Sequence, residues 1–181
     1  MSLNDLVEAY ALDPTPEGLH DLQAGIMAAP RYDPLLSVSR AVVPLLRAGK
    51  HREIVDLIRS WMPGALLSPS AHGYLAKALT ELGDAEAGRI EAKFSRLALD
   101  SIAASGDGSE EEPCSVLRIE DEYDILRASS QRPTAQRQVS DERGQFDVHT
   151  LEDGGEVWFR LLWLAPSAAA QEDEAGDAPE N

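Results

Sequence analysis

The sequence predicts an α+β fold, in which N-terminal antiparallel helical hairpins pack on a small, mainly antiparallel β-sheet that carries one short helix. Three observations predict this class. Capping residues followed by proline recur through the first 70 residues, apolar residues follow them at helical spacing, and two alternating segments near residue 150 flank an Asp-Gly turn. The chain has 181 residues, of which 43% are hydrophobic, and this is enough for a substantial core.

Three helices are predicted from a capping side chain followed by proline, which is tolerated in the first helical turn. These starts are Thr15-Pro16, Asp33-Pro34 and Ser68-Pro69. Further apolar stripes predict helices from about Ile54 to Met62 and from about Asp84 to Ala104. Because proline blocks an internal helix hydrogen bond, we expect Pro44 to kink the second helix or to end its first part.

Two segments of the N-terminal part resemble each other. Leu45–Lys50 aligns with Leu79–Asp84, and their glycines, Gly49 and Gly83, are 34 residues apart. This period resembles that of tetratricopeptide repeats, although two unrelated helix ends would also place glycine there. About two repeats are present where roughly three are needed for a core. We therefore expect residues 1–104 to form one unit with the small α/β region of residues 105–165.

The C-terminal part predicts a short helix over residues 120–128 and four strands, the best of which form a hairpin. The strands cover residues 114–119, 136–140, 145–152 and 156–164. A two-residue turn at Asp153-Gly154 would place Val148 opposite Phe159 on an apolar face directed at the helices. The same register places His149 beside Trp158, where we expect a packed histidine and not a ligand.

Several short motifs in residues 85–163 carry a family resemblance. They include Ser105-Gly106-Asp107-Gly108, the strand Val116–Ile119, and Asp121-Glu122-Tyr123 on the following helix. This region resembles an uncharacterised bacterial family, a domain of unknown function with a Ser-Gly-Asp-Gly loop and a Glu-Glu-Tyr helix. Asp121 departs from the first glutamate of that pair. The resemblance implies a shared fold and no assigned activity.

The charge of the chain constrains its partners. The formal net charge is −16, and residues 105–165 carry 14 acids and 6 bases, while residues 166–181 carry five acids and no base. Nucleic acid and anionic membrane surfaces are therefore disfavoured as partners, whereas a basic protein is compatible. No secretory leader or span of about 18 apolar residues is visible, so we expect a cytoplasmic protein. We expect the acidic tail, residues 166–181, to be mobile.

Acidic residues are the main candidates for chemistry. Asp107-Gly108 suggests a calcium loop, but an EF-hand register fails at both of its ends. Glu120 and Asp124 are four residues apart on one helix, where two carboxylates could hold a hard cation or act as acid and base. The alternative is that acids near a helix N-terminus stabilise its dipole. We therefore predict no cofactor and no metal. If a metal ion does bind, Asp107, Glu120 and Asp124 are the candidate ligands.

Neither a catalytic motif nor a nucleotide-binding loop is present in the sequence, and the catalytic residues stay unknown. The leading hypothesis is a non-enzymatic protein-interaction or adaptor protein, which another, possibly basic, protein would bind. One alternative is a small metal-dependent enzyme that uses the acidic loop and the helix carboxylates. Another is an acidic inhibitor or immunity-type protein that occupies a basic site.

Overall fold

The computed structural model describes residues 2–164. Within them, seven helices and a four-stranded mixed sheet form the predicted α+β fold, which is therefore confirmed, with the helices first and the sheet last. The helices are α1 (Leu3–Leu12), α2 (Pro16–Met27), α3 (Val38–Arg47), α4 (His51–Trp61), α5 (Pro69–Glu81), α6 (Ala85–Ala104) and α7 (Ile119–Ala128). The strands are β1 (Cys114–Val116), β2 (Pro133–Asp141), β3 (Gly144–Leu151) and β4 (Glu156–Leu161), after which Leu162–Leu164 form a 3-10 turn.

Two of the three predicted helix starts have the expected cap. The Thr15 hydroxyl accepts a hydrogen bond from the Gly18 N–H (3.1 Å), and the Ser68 hydroxyl accepts one from the Ala71 N–H (3.3 Å). The third prediction was wrong. The Asp33 carboxylate accepts a bond from the Leu35 N–H (2.8 Å), which closes a turn. As a result, α3 begins only at Val38.

The two glycines that are 34 residues apart end α3 and α5 in the same way. Gly49 and Gly83 have φ values of +68° and +88°, which glycine adopts at little cost. The Lys50 N–H donates to the Leu45 carbonyl (2.9 Å), and the Asp84 N–H donates to the Leu79 carbonyl (3.0 Å). Both ends are thus Schellman caps, and they turn the chain into α4 and α6. Of the two outcomes expected for Pro44, the end of the helix is not observed, because α3 continues to Arg47.

The sheet has the strand order β1-β4-β3-β2, in which β1 and β4 are parallel and the other pairs are antiparallel. Its hairpin register differs from the predicted one. Val148 pairs with Trp158, and His149 pairs with Val157. The Leu151 N–H donates to the Gly155 carbonyl (2.8 Å), so the loop has three residues and not two. A one-residue shift moves side chains to the opposite face, and Val148 and Phe159 therefore lie on different faces.

The two faces of the sheet have different neighbours. Phe159 is fully buried, as predicted, and packs with Ile102 of α6 and Leu126 of α7. The opposite face holds a separate cluster of Phe146, Val148 and Trp158. β4 ends at Leu161, so Trp163 lies in the 3-10 turn and not in the strand. The predictions for residues 166–181 lie outside the described residues.

Among residues 2–164, no helix combines the length and the apolar composition that crossing a membrane requires.

Candidate functional site: the acidic helix α7 and its surroundings

Helix α7 lies between the helical part and the sheet, where it contacts α5, α6 and β1. Its apolar residue Leu126 is buried, while acids occupy its first turn, where the helix dipole favours negative charge. Three acids of α7, however, are themselves buried: Asp121, Glu122 and Asp124. A buried carboxylate is tolerated only when it has a partner, so each of these side chains must have a specific contact.

Glu120 caps another helix. Its carboxylate accepts hydrogen bonds from the backbone N–H groups of Val38 and Ser39, the latter at 2.9 Å. These are the first residues of α3, whose own N-cap residue, Ser37, makes no side-chain cap bond. The side chain of Glu120 therefore satisfies N–H groups that the first turn of a helix leaves unpaired.

Asp124 makes the equivalent contact with α5. Its two carboxylate oxygens accept bonds from the Ser70 N–H (2.9 Å) and the Ser70 hydroxyl (2.7 Å). The Arg127 guanidinium donates to the same carboxylate at 2.9 Å. Burial raises the pKa of Asp124, whereas the hydrogen bonds from Ser70 and the charge of Arg127 lower it. Three donors thus occupy this carboxylate.

The three candidate metal ligands do not converge. Asp107 is exposed, and its carboxylate accepts a bond from the Ser109 N–H (2.8 Å). Hydrogen bonds from Ser109 lower the pKa of Asp107. Glu120 and Asp124 instead cap two different helices. In the described part of the chain, no group of three or more His, Cys, Asp or Glu side chains is placed to hold a metal ion.

Arg118 and Asp121 form a buried pair that no pattern in the sequence predicts. Arg118 is 0% exposed and lies 3.5 Å from the Asp121 carboxylate. Its guanidinium also donates to the carbonyls of Gly64 and Leu66 and lies 5.7 Å from the Tyr32 ring centroid. Burial raises the pKa of Asp121 to about 7, although the charge of Arg118 opposes this shift. This pair joins α7 to the loop that precedes α5.

A second buried group lies between α7 and the sheet. The His149 Nε2 atom is 2.7 Å from the Glu122 carboxylate, and Asp147 lies on the same face of β3. All three side chains are at most 1% exposed. Burial raises the pKa of Glu122 to about 7; the hydrogen bond with His149 opposes the shift, and the nearby Asp147 carboxyl adds to it. We call these three residues the buried proton cluster.

Tyr123 and Gln136 close the outer side of the buried proton cluster. The Tyr123 hydroxyl donates to the Gln136 side-chain oxygen (2.9 Å), and the Gln136 amide nitrogen donates to Asp147 (2.7 Å). One side-chain atom each of Glu122, Asp147 and His149 lacks a protein partner. A carboxyl–imidazole pair can exchange a proton, but these side chains are covered, so a substrate does not reach them in this conformation. His149 is packed, as expected, although against Tyr123 and Phe159 and not beside Trp158.

The raised pKa of Glu122 predicts a pH-dependent stability. Its ordinary value is 4.5, so between pH 4.5 and 7 the folded protein holds a proton that the unfolded chain releases. The stability that protonated Glu122 contributes is therefore fully present below pH 4.5 and is lost as the pH rises towards 7. Glutamine does not titrate. Between pH 4.5 and 7 we therefore expect the unfolding free energy of Glu122→Gln to fall by about 1–3 kcal/mol less than that of wild type.

Urea unfolding at a series of pH values measures this slope. Asp141→Asn is a suitable control because hydrogen bonds from Arg143 lower the pKa of Asp141, so it titrates below the interval. Parallel slopes for wild type and Glu122→Gln would show that Glu122 does not hold this proton.

Strand β2 forms an open edge of the sheet. It has nine residues, and eight of them are exposed. The described structure shows only one neighbour for it, β3, because the strand order ends at β2. The other edge strand, β1, is three residues long and is contacted by α6 and α7. Only β2 therefore offers an extended row of backbone groups among the described strands.

No family model, curated protein or solved structure matches this chain. The function is therefore inferred from the geometry of the chain alone.

Proposed function

We propose that this chain is a non-enzymatic protein-interaction or adaptor protein, and that β2 is the strand on which its partner docks. The observation that carries the proposal is the open edge of β2. An extended segment of a partner can add to such an edge as a further strand, since backbone hydrogen bonds supply affinity without requiring a particular sequence. At about 3.3 Å per residue, β2 offers an edge roughly 30 Å long.

The hydrogen bonds of β3 identify which residues of β2 face outward. The Leu151 N–H donates to Gly155, on the β4 side, so odd-numbered residues of β3 bond to β4 and even-numbered ones bond to β2. Val148 and Phe146 are therefore hydrogen-bonded to Arg137 and Val139. The alternate residues, Gln136, Gln138 and Ser140, direct their backbone N–H and C=O groups away from the sheet.

The edge has little of the protection that natural proteins use against unwanted pairing. Its central stretch, residues 135–140, contains no proline and one charged residue, Arg137, which pairs with Glu156 at 3.0 Å. Pro133 and an irregularity in pairing lie at its N-terminal end only. A partner that normally covers this edge would account for the lack of such protection.

Two other features support an interaction role. The matching caps at Gly49 and Gly83 support a tetratricopeptide-like arrangement of the two hairpins, an architecture that presents helical surfaces to partners. The net charge of −16 favours a basic partner, which the field of the protein would attract over a long range. We propose a cytoplasmic location and membership of the Ser-Gly-Asp-Gly family as part of the same hypothesis.

Gln138→Pro tests the docking strand. Proline removes one outward N–H and blocks the close approach of a new strand, while the bonds between β2 and β3 remain. We expect proteins that co-purify with the wild-type chain to be lost with Gln138→Pro and retained with the control Gln138→Thr, which keeps its N–H.

Amide hydrogen exchange supplies a second readout with any partner so identified. Binding should slow exchange at Gln136, Gln138 and Ser140, whose N–H groups face outward, and change it much less at Arg137 and Val139. β2 is not the docking strand if partners bind Gln138→Pro and wild type equally and if binding slows amide exchange at residues outside β2. A basic partner should also associate more slowly as salt is raised.

A further inference from the structure

A hollow of about 350 Å³ lies where α5, α6 and α7 meet, and we call it the junction hollow. Its walls are mainly apolar and include Pro69 and Tyr74 of α5 and Leu99 of α6. This volume lies at the lower end of the range that small-molecule sites occupy in proteins. The hollow is separate from β2, and a ligand could occupy it whether or not a partner docks on that strand.

Arg127 is held in place at one side of the junction hollow. Its guanidinium donates to the Asp124 carboxylate at 2.9 Å, and Asp124 is itself fixed by two hydrogen bonds from Ser70. The Arg127 side chain is nevertheless 67% exposed. The bond to Asp124 uses one of its five N–H donors, so the guanidinium is oriented and keeps donors for a second, planar anion.

Lys77 supplies a second positive charge. It lies one helical turn after Tyr74 on α5, lines the same hollow and is exposed. Among residues 2–164 it forms no ion pair. The hollow therefore carries two cations and one carboxylate, Asp124, whose oxygens are already occupied by three donors. This local positive charge stands out in a chain whose net charge is −16.

We propose that the junction hollow binds a small carboxylate with an apolar body. The carboxylate would accept hydrogen bonds from Arg127 and Lys77, and the apolar body would contact Pro69, Tyr74 and Leu99. A cationic ligand is disfavoured because Asp124, the one acid among the described lining residues, is occupied. A neutral apolar ligand would leave Lys77 and the remaining N–H donors of Arg127 without an acceptor.

Three probes of the same shape and different charge test this proposal: 3-phenylpropionate, 3-phenylpropanol and 3-phenylpropylamine. The full chain is titrated with each probe while its amide NMR signals are recorded. We expect saturable shifts with the carboxylate, centred on residues of α5 and α7 that line the hollow. The alcohol and the amine should bind at least about tenfold more weakly, since a hydrogen bond to a charged group typically exceeds about 1.4 kcal/mol.

Lys77→Gln and Arg127→Gln should each weaken binding of 3-phenylpropionate by about tenfold or more. Arg96→Gln is the matched control, because Arg96 is an exposed base on α6 that pairs with Asp100 outside the hollow. Arg127 also contacts Asp124, so the melting temperature of each variant is measured first; Lys77 has no such contact and stays informative if Arg127→Gln is unfolded. Equal affinity for the three probes, no saturable binding, or unchanged affinity in Lys77→Gln would overturn the proposal.

Discussion

Replacing Arg118 with methionine is expected to lower the free energy of unfolding by about 3–5 kcal/mol. The change leaves the Asp121 carboxylate buried at 1% exposure without its positive partner. It also removes the donor that the carbonyls of Gly64 and Leu66 share. Chemical denaturation, monitored by circular dichroism, measures the loss.

The double variant Arg118→Met/Asp121→Asn separates these two contributions. If the uncompensated buried charge dominates, the second substitution should restore part of the lost stability, because asparagine carries no charge. A loss below about 1 kcal/mol for Arg118→Met alone would contradict the prediction that Arg118 compensates a buried charge on Asp121.

The second large effect is expected for Phe159→Ala, which should cost about 3–5 kcal/mol. Phe159 is 0% exposed and packs among residues from the helices and the sheet, with its ring edge-on to His149 at 5.5 Å between centroids. Truncation would leave a cavity at the contact between β4 and α7. Urea unfolding of Phe159→Ala measures the effect.

Leu12→Ala is the matched control, since Leu12 is also a large apolar residue but is 80% exposed. We expect its stability to stay within about 0.5 kcal/mol of wild type. Similar losses in the two variants would indicate that Phe159 does not occupy a closely packed core.

Local signals in the sequence predict most of the helices, because a cap and an apolar stripe are encoded within one segment. Thr15 and Ser68 illustrate this, since each caps the helix that follows it. The same logic fails at Asp33, whose side chain closes a turn instead. Helix α1 is absent from the predicted elements, although Ser2 and Asp5 form a capping box whose residue pattern is visible in the sequence.

In the hairpin of β3 and β4, one extra residue in the loop changes which side chains share a face of the sheet. Asp153-Gly154 is correctly placed in a turn, but Gly154, with φ of +85°, belongs to a three-residue loop. Side chains alternate with a period of two along a strand, so one extra residue exchanges the faces of β3 relative to β4. The predicted pairing of Val148 with Phe159 fails for this reason alone.

The surroundings of α7 could not be predicted from the sequence because they depend on long-range packing. Glu120 and Asp124 are adjacent carboxylates on one helix, as predicted, but their partners, Val38 and Ser70, are 82 and 54 residues away. The contact between Glu122 and His149 spans 27 residues and depends on the hairpin register. No spacing rule within a single element reveals such contacts.

The two caps that α7 provides in trans bear on the order in which the chain folds during synthesis. Residues of α3 and α5 leave the ribosome well before Glu120 and Asp124, so their first turns emerge without these partners. Contacts between residues this far apart in the chain form late, because closing the loop costs conformational entropy before the contact contributes any stability. The helical part is thus completed only after the acidic helix has been made, and nascent chains that stop short of it would leave the α3 and α5 N-termini open to chaperones and proteases.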